Sequence, residues 1–331
     1  MTKTLIIGGG GFIGAHLAQK LTAADGSVDM LDNFSRAVRD PFLQKIEGMK
    51  SVRLIDADML DPATLSLLDD DYTAIYQFAA IIGVRHVLER PYEVLHKNVL
   101  IQAKAIELAK RQKELDRFIF ASTSEVYAGS LKHMTLQVPT PEDVPIALTN
   151  LEHPRTSYML SKIYGEAMCQ QSDLPFTIVR PHNVYGPRMG LAHVLPELIK
   201  KVRALPEGGQ LEVASVDHRR AFCFIDDAIE ILRSLASNPK ATGGIFNLGN
   251  QEQEVSVGEV ARIVLKITGR TDLEIVPLPE TPGSPARRCP DMTKTINLIG
   301  RLPFVPLEEG VERTYKWYTE NVFSDGGVSA I

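Results

Sequence analysis

Two residues four positions apart, Tyr158 and Lys162 in "TSYMLSKIYGEAM", could do acid–base chemistry. On a helix, positions i and i+4 share a face. A phenol whose unperturbed pKa is about 10 is a poor base at neutral pH. A neighbouring ammonium stabilises the phenolate, so the pair could exchange a proton with a hydroxyl group. The spacing alone is common on exposed helix faces. It gains weight from "FASTSEVY" upstream, where the hydroxyls of Thr123 and Ser124 and the carboxylate of Glu125 follow an apolar run.

Such a pair needs an electron acceptor to be more than a proton shuttle. Residues 5–14 read "LIIGGGGFIG". Gly8, Gly11 and Gly14 stand in the spacing GxxGxxG, after a strand and at the opening of a helix, with Phe12 and Ile13 between the last two. Gly8 would allow a tight turn, Gly11 would let a pyrophosphate approach the helix N-terminus, and Gly14 would let the helix pack on the sheet. Gly9 and Gly10 read as loop positions where small side chains would do. The second strand ends "VDMLDNFS", which puts Asp32 18 positions after Gly14 (32 − 14). A carboxylate there accepts ribose hydroxyls and repels a 2′-phosphate, which favours NAD over NADP, although Arg36 stands close by.

The elements that would position these groups alternate. Apolar strands are expected at 4–7, 27–31, 52–55, 74–80, 118–122 and 176–180, and helices at 12–24, 62–69, 92–112 and 156–172. Continuous apolar strands between helices predict an α/β fold, a Rossmann-type doubly wound parallel sheet covered on both faces. Beyond residue 180 the pattern loosens. "FIDDAIEILRSLA" reads as a helix, "GIFNLGN" as one more strand, "PLPETPGSPARRCPD" as irregular, and "LEEGVERTYKWYTENV" as a last helix. The expected organisation is a Rossmann domain at 1–180 that also receives about 222–250. A smaller mixed substrate-binding domain follows at 181–221 and 251–320, with a tail at 321–331.

"GGGGFIG" in this spacing resembles the extended short-chain dehydrogenase/reductase family, in its NAD-dependent nucleotide-sugar epimerase/dehydratase group. The resemblance runs over residues 1–320. Ile7 departs from the threonine often found before the first glycine. The resemblance implies that Asn33 joins Asp32, that Asp58 and Met59 in "DADMLD" lie at the adenine, and that Phe78, Ala79 and Ala80 pass the pyrophosphate. Asn98, Tyr158 and Lys162 complete the cofactor set. It further implies that Thr123, Tyr158 and Lys162 perform hydride transfer, with the positive nicotinamide ring helping to stabilise the phenolate. In that group Glu125 can act as a second acid/base or orient the sugar, or it can be a solvated turn residue.

The resemblance also implies a nucleoside-diphosphate sugar as substrate. Asn183 in "RPHNVYGPRMG", Arg220 in "RRAFCFIDD" and Arg288 in "GSPARRCPD" would approach the diphosphate, to whose oxygens a guanidinium fork is matched. Ser124 and Arg85 would face the sugar, Arg85 meeting a carboxylate if there is one. The expected chemistry is oxidation at C4 to a 4-keto sugar, followed by epimerisation or dehydration. Alternatives are decarboxylation of the UDP-glucuronate type, net dehydrogenation, and a non-catalytic NAD-binding scaffold. "AAIIGVRHVLERPYEVLHKNV" looks like uronate 4-epimerases, whereas "TSE" and "RRCPD" look decarboxylase-like. Helices 92–112 and 156–172 resemble the pair that forms a four-helix bundle across a homodimer.

Bulk properties agree with an ordinary soluble domain. The 331 residues are 44% hydrophobic and 23% charged, with a net charge of −5. That balance gives no reason to expect nucleic acid or an anionic membrane as a partner. No apolar run is long enough to span a membrane, and the N-terminal run is too short for a signal peptide. Cys169, Cys223 and Cys289 are odd in number and far apart, so neither a disulfide framework nor a metal site is expected, and a reducing cytoplasm is.

Overall fold

Five consecutive residues, Lys3–Ile7, form β1, and the last four of them are buried. This is the signature of a strand covered on both faces. The computed structural model describes residues 2–24, 26–281 and 284–324, without the side chains of Val84 and Arg85. β2 (Ser27–Asp32), β3 (Val52–Asp56), β4 (Ala74–Gln77), β5 (Arg117–Ala121) and β6 (Phe176–Pro181) follow. They pair in parallel, and with the strand Gly244–Leu248 they make a seven-stranded sheet. Its order is Gly244–Leu248, β6, β5, β4, β1, β2, β3. This is the doubly wound arrangement expected from the sequence. The order reverses between β1 and β4, and such sheets bind ligands outside the carboxyl ends of the strands at that point.

Helix α1 (Phe12–Thr22) leaves the glycine turn, with Gly11 as its N-cap and no acidic residue in its first turn. The helices Pro91–Ala109 and Thr156–Gln170 lie together. The Gln102 amide donates to the Cys169 sulfur at 3.1 Å, and the Asn98 amide to Ser161 Oγ at 3.3 Å. Leu5, Ile7, Ile75, Phe118, Phe120 and Ile178 of the sheet and Ile101, Ala105 and Cys169 of these helices share one buried core.

Several expected elements differ in detail. The stretch 62–69 is a 3-10 helix, Pro62–Leu67, started by the Asp61 side chain. β4 stops at Gln77 rather than at residue 80. There the Gln77 side-chain amide accepts from Ala79 N at 2.8 Å and donates to Ala79 O at 3.2 Å, turning the chain out of the ladder.

The chain divides into two compact units. The first comprises Met1–Gly129, Ile146–Pro181 and Ile229–Phe246. The second comprises Ser130–Pro145, His182–Ala228 and Asn247–Ile331. Ser130–Pro145, which the sequence reading left in the first domain, packs within the second unit. There Asn247 Nδ2 donates to Thr140 O, and Glu142 accepts from Asn247 N at 2.7 Å. The second unit also holds the unanticipated helices Val194–Ala204 and Val257–Thr268 and a parallel pair, Gln210–Ala214 with Glu274–Leu278. The segment read as irregular therefore begins and ends in strands, at Pro277–Leu278 and at Arg287–Arg288. Pro277 is tolerated because a two-stranded sheet has only edges. The last helix, Leu307–Asn321, reaches the start of the expected tail, and residues 325–331 lie outside the described ones.

Candidate active site

The glycine turn closes over the end of β1. Gly8 has φ +86°, and a Cβ there would lie 2.7 Å from Ala79 N. Gly8 N and Gly9 N both donate to Leu31 O, tying the turn to β2. Gly9 is not the permissive position the sequence suggested. A Cβ on it would sit 2.7 Å from Met30 Cβ and 2.9 Å from Met30 Cα, so the close approach of β2 requires glycine. A Cβ on Gly14 would strike Gly8 O, which fits its expected packing role. At Gly11 a Cβ meets only Gly8 O, at 3.3 Å, and its outer side is open. Phe12 and Ile13, next to it, are half-buried. This helix start has no side-chain cap and no acidic residue in its first turn, so its dipole favours an anion.

Asp32 ends β2 with its carboxylate fixed from two sides, Gly10 N donating to one oxygen at 3.0 Å and Phe34 N to the other at 2.9 Å. It remains half-buried, so it can accept ribose hydroxyls. Asn33 donates to Asp58 at 2.9 Å, and Leu60 N holds the other Asp58 oxygen. The structure thus brings Asp32, Asn33 and Asp58 to one edge of the sheet. The Met59 side chain belongs to the core, so any contact it makes with a cofactor is through its main chain. Phe78, Ala79 and Ala80 are half-buried after β4, with Phe78 N and Ala79 N both donating to Ile7 O at 2.9 Å. Asn98 spends its amide on this loop, accepting from Ile81 N at 2.7 Å and donating to Ile81 O at 3.1 Å. Asn98 thereby fastens the loop after β4 to the helix Pro91–Ala109.

Thr123 ends β5 and caps the short turn Ser124–Tyr127, its hydroxyl accepting from Glu125 N at 3.2 Å. Thr123 is close enough to the Tyr158 phenol to favour its ionised form. Burial, and then the nearby Glu125 carboxylate, push the Tyr158 phenol above its ordinary range, against smaller opposing effects of Thr123 and Arg36. Ser124 is buried beside them. Lys162 is buried too, and its ammonium donates to Ala121 O at 2.8 Å. It lies 4.9 Å from the Phe120 ring centroid and 5.9 Å from that of Tyr158. Burial lowers its pKa to about 8. Lys162 is anchored to the strand end, and burial together with the Glu125 carboxylate makes the phenol hold its proton more tightly than in water.

A buried network behind these residues escaped the sequence reading. Glu166 accepts from Arg180 Nε at 2.8 Å and from Arg180 Nη2 at 2.6 Å, while Ser122 Oγ donates to it at 2.5 Å. Arg180 Nη1 donates to Tyr127 Oη at 2.8 Å. Glu166 stands one helical turn beyond Lys162, at the spacing that links Tyr158 to Lys162, and that periodicity was the signal available for finding it.

Within the second unit, Arg220 and Arg288 are register partners on adjacent parallel strands, so their side chains start on the same face. Arg220 donates to Ser284 Oγ at 2.8 Å and to Pro285 O at 2.7 Å, and Arg288 is buried. Two arginines that start on one face suit an anion of more than one charge. Asn183, at φ +40°, donates to Ala221 O at 3.1 Å on the same strand as Arg220. Arg85 falls in the helix Val84–Glu89, and its side chain lies outside the described ones.

Among the described residues no group of His, Cys, Asp and Glu could hold a metal ion, and no helix is long and apolar enough to cross a membrane. The bare helix start, the pinned Asp32 and the Thr123–Tyr158 pair fit a dinucleotide whose redox ring lies near the phenol. Comparison with known proteins agrees. Residues 4–249 match the model of the NAD dependent epimerase/dehydratase family. The chain is 31% identical, over 96% of its length and 98% of the relative's, to the UDP-N-acetyl-alpha-D-glucosaminuronate decarboxylase of Bacillus cytotoxicus. It is also 31% identical to UDP-glucuronic acid decarboxylase 1 of Xenopus tropicalis, over 97% of this chain and 73% of that one. The crystal structure of UDP-glucuronic acid 4-epimerase from Bacillus cereus, in complex with UDP-glucuronic acid and NAD, superposes with a TM-score of 0.82. That pair is 28% identical and covers 96% of this chain and 99% of the other.

Proposed function

The chain belongs to the NAD-dependent epimerase/dehydratase family, and we propose that it oxidises C4 of a nucleoside-diphosphate uronic sugar and decarboxylates the resulting 4-keto sugar. Bound NAD would supply the hydride acceptor, held by the glycine turn, Asp32 and Lys162. Thr123 and Tyr158, near neighbours, would both reach the C4 hydroxyl. Tyr158 removes its proton as the carbon–hydrogen bond is broken, and the positive charge of the oxidised ring supplies what the phenol lacks. The guanidiniums of Arg220 and Arg288 supply charge for the diphosphate.

A C4 ketone stands β to the C6 carboxylate of a uronic sugar. The C5–C6 bond can then break with its electron pair passing into the ketone as an enolate, releasing carbon dioxide. C5 would then be reprotonated, for which Glu125 stands near the phenol, and return of the hydride to C4 would reduce the ketone and restore NAD. Dehydration would instead need a proton taken from C5 and another delivered to the leaving hydroxyl, which calls for two acid/base groups beyond Tyr158. The observation that carries the choice is that the turn after β5 offers a single carboxylate, Glu125 next to Ser124. The decarboxylase names of the two curated relatives support it.

Simple 4-epimerisation is the second reading, favoured by the uronate epimerase whose structure this chain matches. Incubating the protein with UDP-glucuronate and its N-acetylamino analogue in deuterated water decides by NMR. Carbon dioxide release with deuterium at C5 supports decarboxylation. An inverted C4 with C6 retained replaces it with epimerisation. Unchanged turnover by Tyr158→Phe would reject the catalytic assignment.

Tyr92 at 77% exposure, Tyr164 at 55% and Leu100 at 39% leave apolar surface uncovered on the helices Pro91–Ala109 and Thr156–Gln170. A homodimer through these helices would cover it, and sedimentation at micromolar concentration tests this. Three free, buried cysteines favour the cytoplasm as its compartment.

A further inference from the structure

The loop after β2 carries two arginines with different fates. Arg39 is spent, its guanidinium paired with Asp56 at 2.9 Å and lying 4.5 Å from the Phe34 ring centroid. Arg36 is exposed, and no hydrogen bond or ion pair engages it among the described residues. Yet it is not directed at bulk solvent alone. One of its terminal nitrogens lies 3.7 Å from where a Cβ on Gly83 would stand. Gly83 ends the loop that follows β4. In the sheet order β4 and β2 flank β1 on opposite sides. A side chain rooted after β2 whose tip reaches the loop after β4 must therefore cross above the carboxyl end of β1, where the glycine turn lies. The loop is close at its root as well. A Cβ on Gly10 would stand 3.1 Å from Ala37 Cβ and 3.1 Å from Asp32 Oδ2. Arg36 is also near enough to Tyr158 and Asp32 to feel the charge of both.

We propose that Arg36 is a strap over the cofactor, its guanidinium pairing with the pyrophosphate of bound NAD from the side opposite the N-terminus of α1. The inference rests on the cofactor reading of the glycine turn. The half-charge of one helix start does not neutralise a doubly charged pyrophosphate. A guanidinium adds charge-assisted, bidentate hydrogen bonds. Its span from one loop to the other would also resist cofactor release, which suits a cycle that regenerates its own oxidant. The competing use of an arginine near this acidic residue is to accept a 2′-phosphate. The reach to Gly83 argues against it, because it carries the guanidinium across β1 toward the loop after β4.

The test is titration of the full-length, cofactor-stripped chain with NAD and, separately, NADP, followed by calorimetry, for wild type, Arg36→Ala and Arg36→Lys. Arg36→Ala should weaken NAD binding roughly 10- to 100-fold, the scale of lost charge-assisted hydrogen bonds. Arg36→Lys should recover part of that, and the cofactor-free melting temperature should not move because the guanidinium holds nothing in the fold. The slope of affinity against salt should flatten in Arg36→Ala. Unchanged NAD affinity in Arg36→Ala would overturn the strap. A loss confined to NADP would overturn it in favour of a 2′-phosphate site. Failure of the wild type to bind NAD would reject the cofactor reading itself, and the strap with it.

Discussion

Replacing Glu166 with glutamine should be among the more damaging single changes to this fold, and its size follows from what Glu166 holds. The Arg180 side chain is 2% exposed and the Glu166 side chain 7%. Two guanidinium nitrogens and the Ser122 hydroxyl all donate to Glu166. Glutamine offers one acceptor oxygen and turns an NH2 group toward donors, so the buried cation loses the charge that opposes it. Breaking one side of such a pair costs about 3–5 kcal/mol. With urea m-values of about 3 kcal/mol/M for a chain of this size, the unfolding midpoint should fall by about 1 M or more. The double variant Glu166→Gln with Arg180→Met removes the stranded charge and should recover more than half of the loss, because buried ion pairs are often replaceable by apolar groups. Turnover should not recover with it. Ser122 lies between Ala121, whose carbonyl anchors Lys162, and Thr123, so the strand end loses its tether in both variants. A single variant costing under about 1 kcal/mol, or a double variant less stable than the single one, would refute this reasoning.

Two other perturbations separate folding from binding. Gly9→Ala should destabilise the chain by about 1–3 kcal/mol through overpacking against Met30, seen as a lower melting temperature without cofactor. Gly11→Ala meets only one carbonyl, at 3.3 Å, and should melt near wild type while losing NAD affinity, since its methyl group lies at the helix start that would face the pyrophosphate. Lys162 predicts a pH dependence in the cofactor-free protein. Folded Lys162 releases its proton at about 8, whereas an unfolded lysine releases it at about 10.5. Between these values the unfolded chain binds more protons, so this group's contribution makes stability rise with pH across that window and stay flat below it. In Lys162→Met, denaturation curves from pH 7 to 10.5 should lack that rise.

The sheet and the cofactor edge were legible because both are written in local pattern. Buried strands read as apolar runs, Gly8 is demanded by its positive φ beside the loop after β4, Gly14 by the close packing of α1 on the turn, and Asp32 is pinned by that turn. Gly9 was misread for a related reason: its need for glycine comes from Met30, 21 positions on (30 − 9), and no spacing rule within the turn reports it. The second unit was read as looser than it is. Its helix Val257–Thr268 carries a full capping box, Ser256 with Glu259, and the αL glycine Gly269 at its end, signals that the prolines around 277–291 obscured. The site's electrostatics were the least legible part. Sequence spacing assigns Lys162 to Tyr158 because they share a helix face. The fold draws the ammonium instead to Ala121 O on the neighbouring strand end. The phenol is left with Glu125 beside it and a raised proton affinity. On the proposed function, a tyrosine so placed would be a poor base in the empty protein, and the positive charge of an oxidised ring would favour its ionised form, tying proton transfer to hydride transfer.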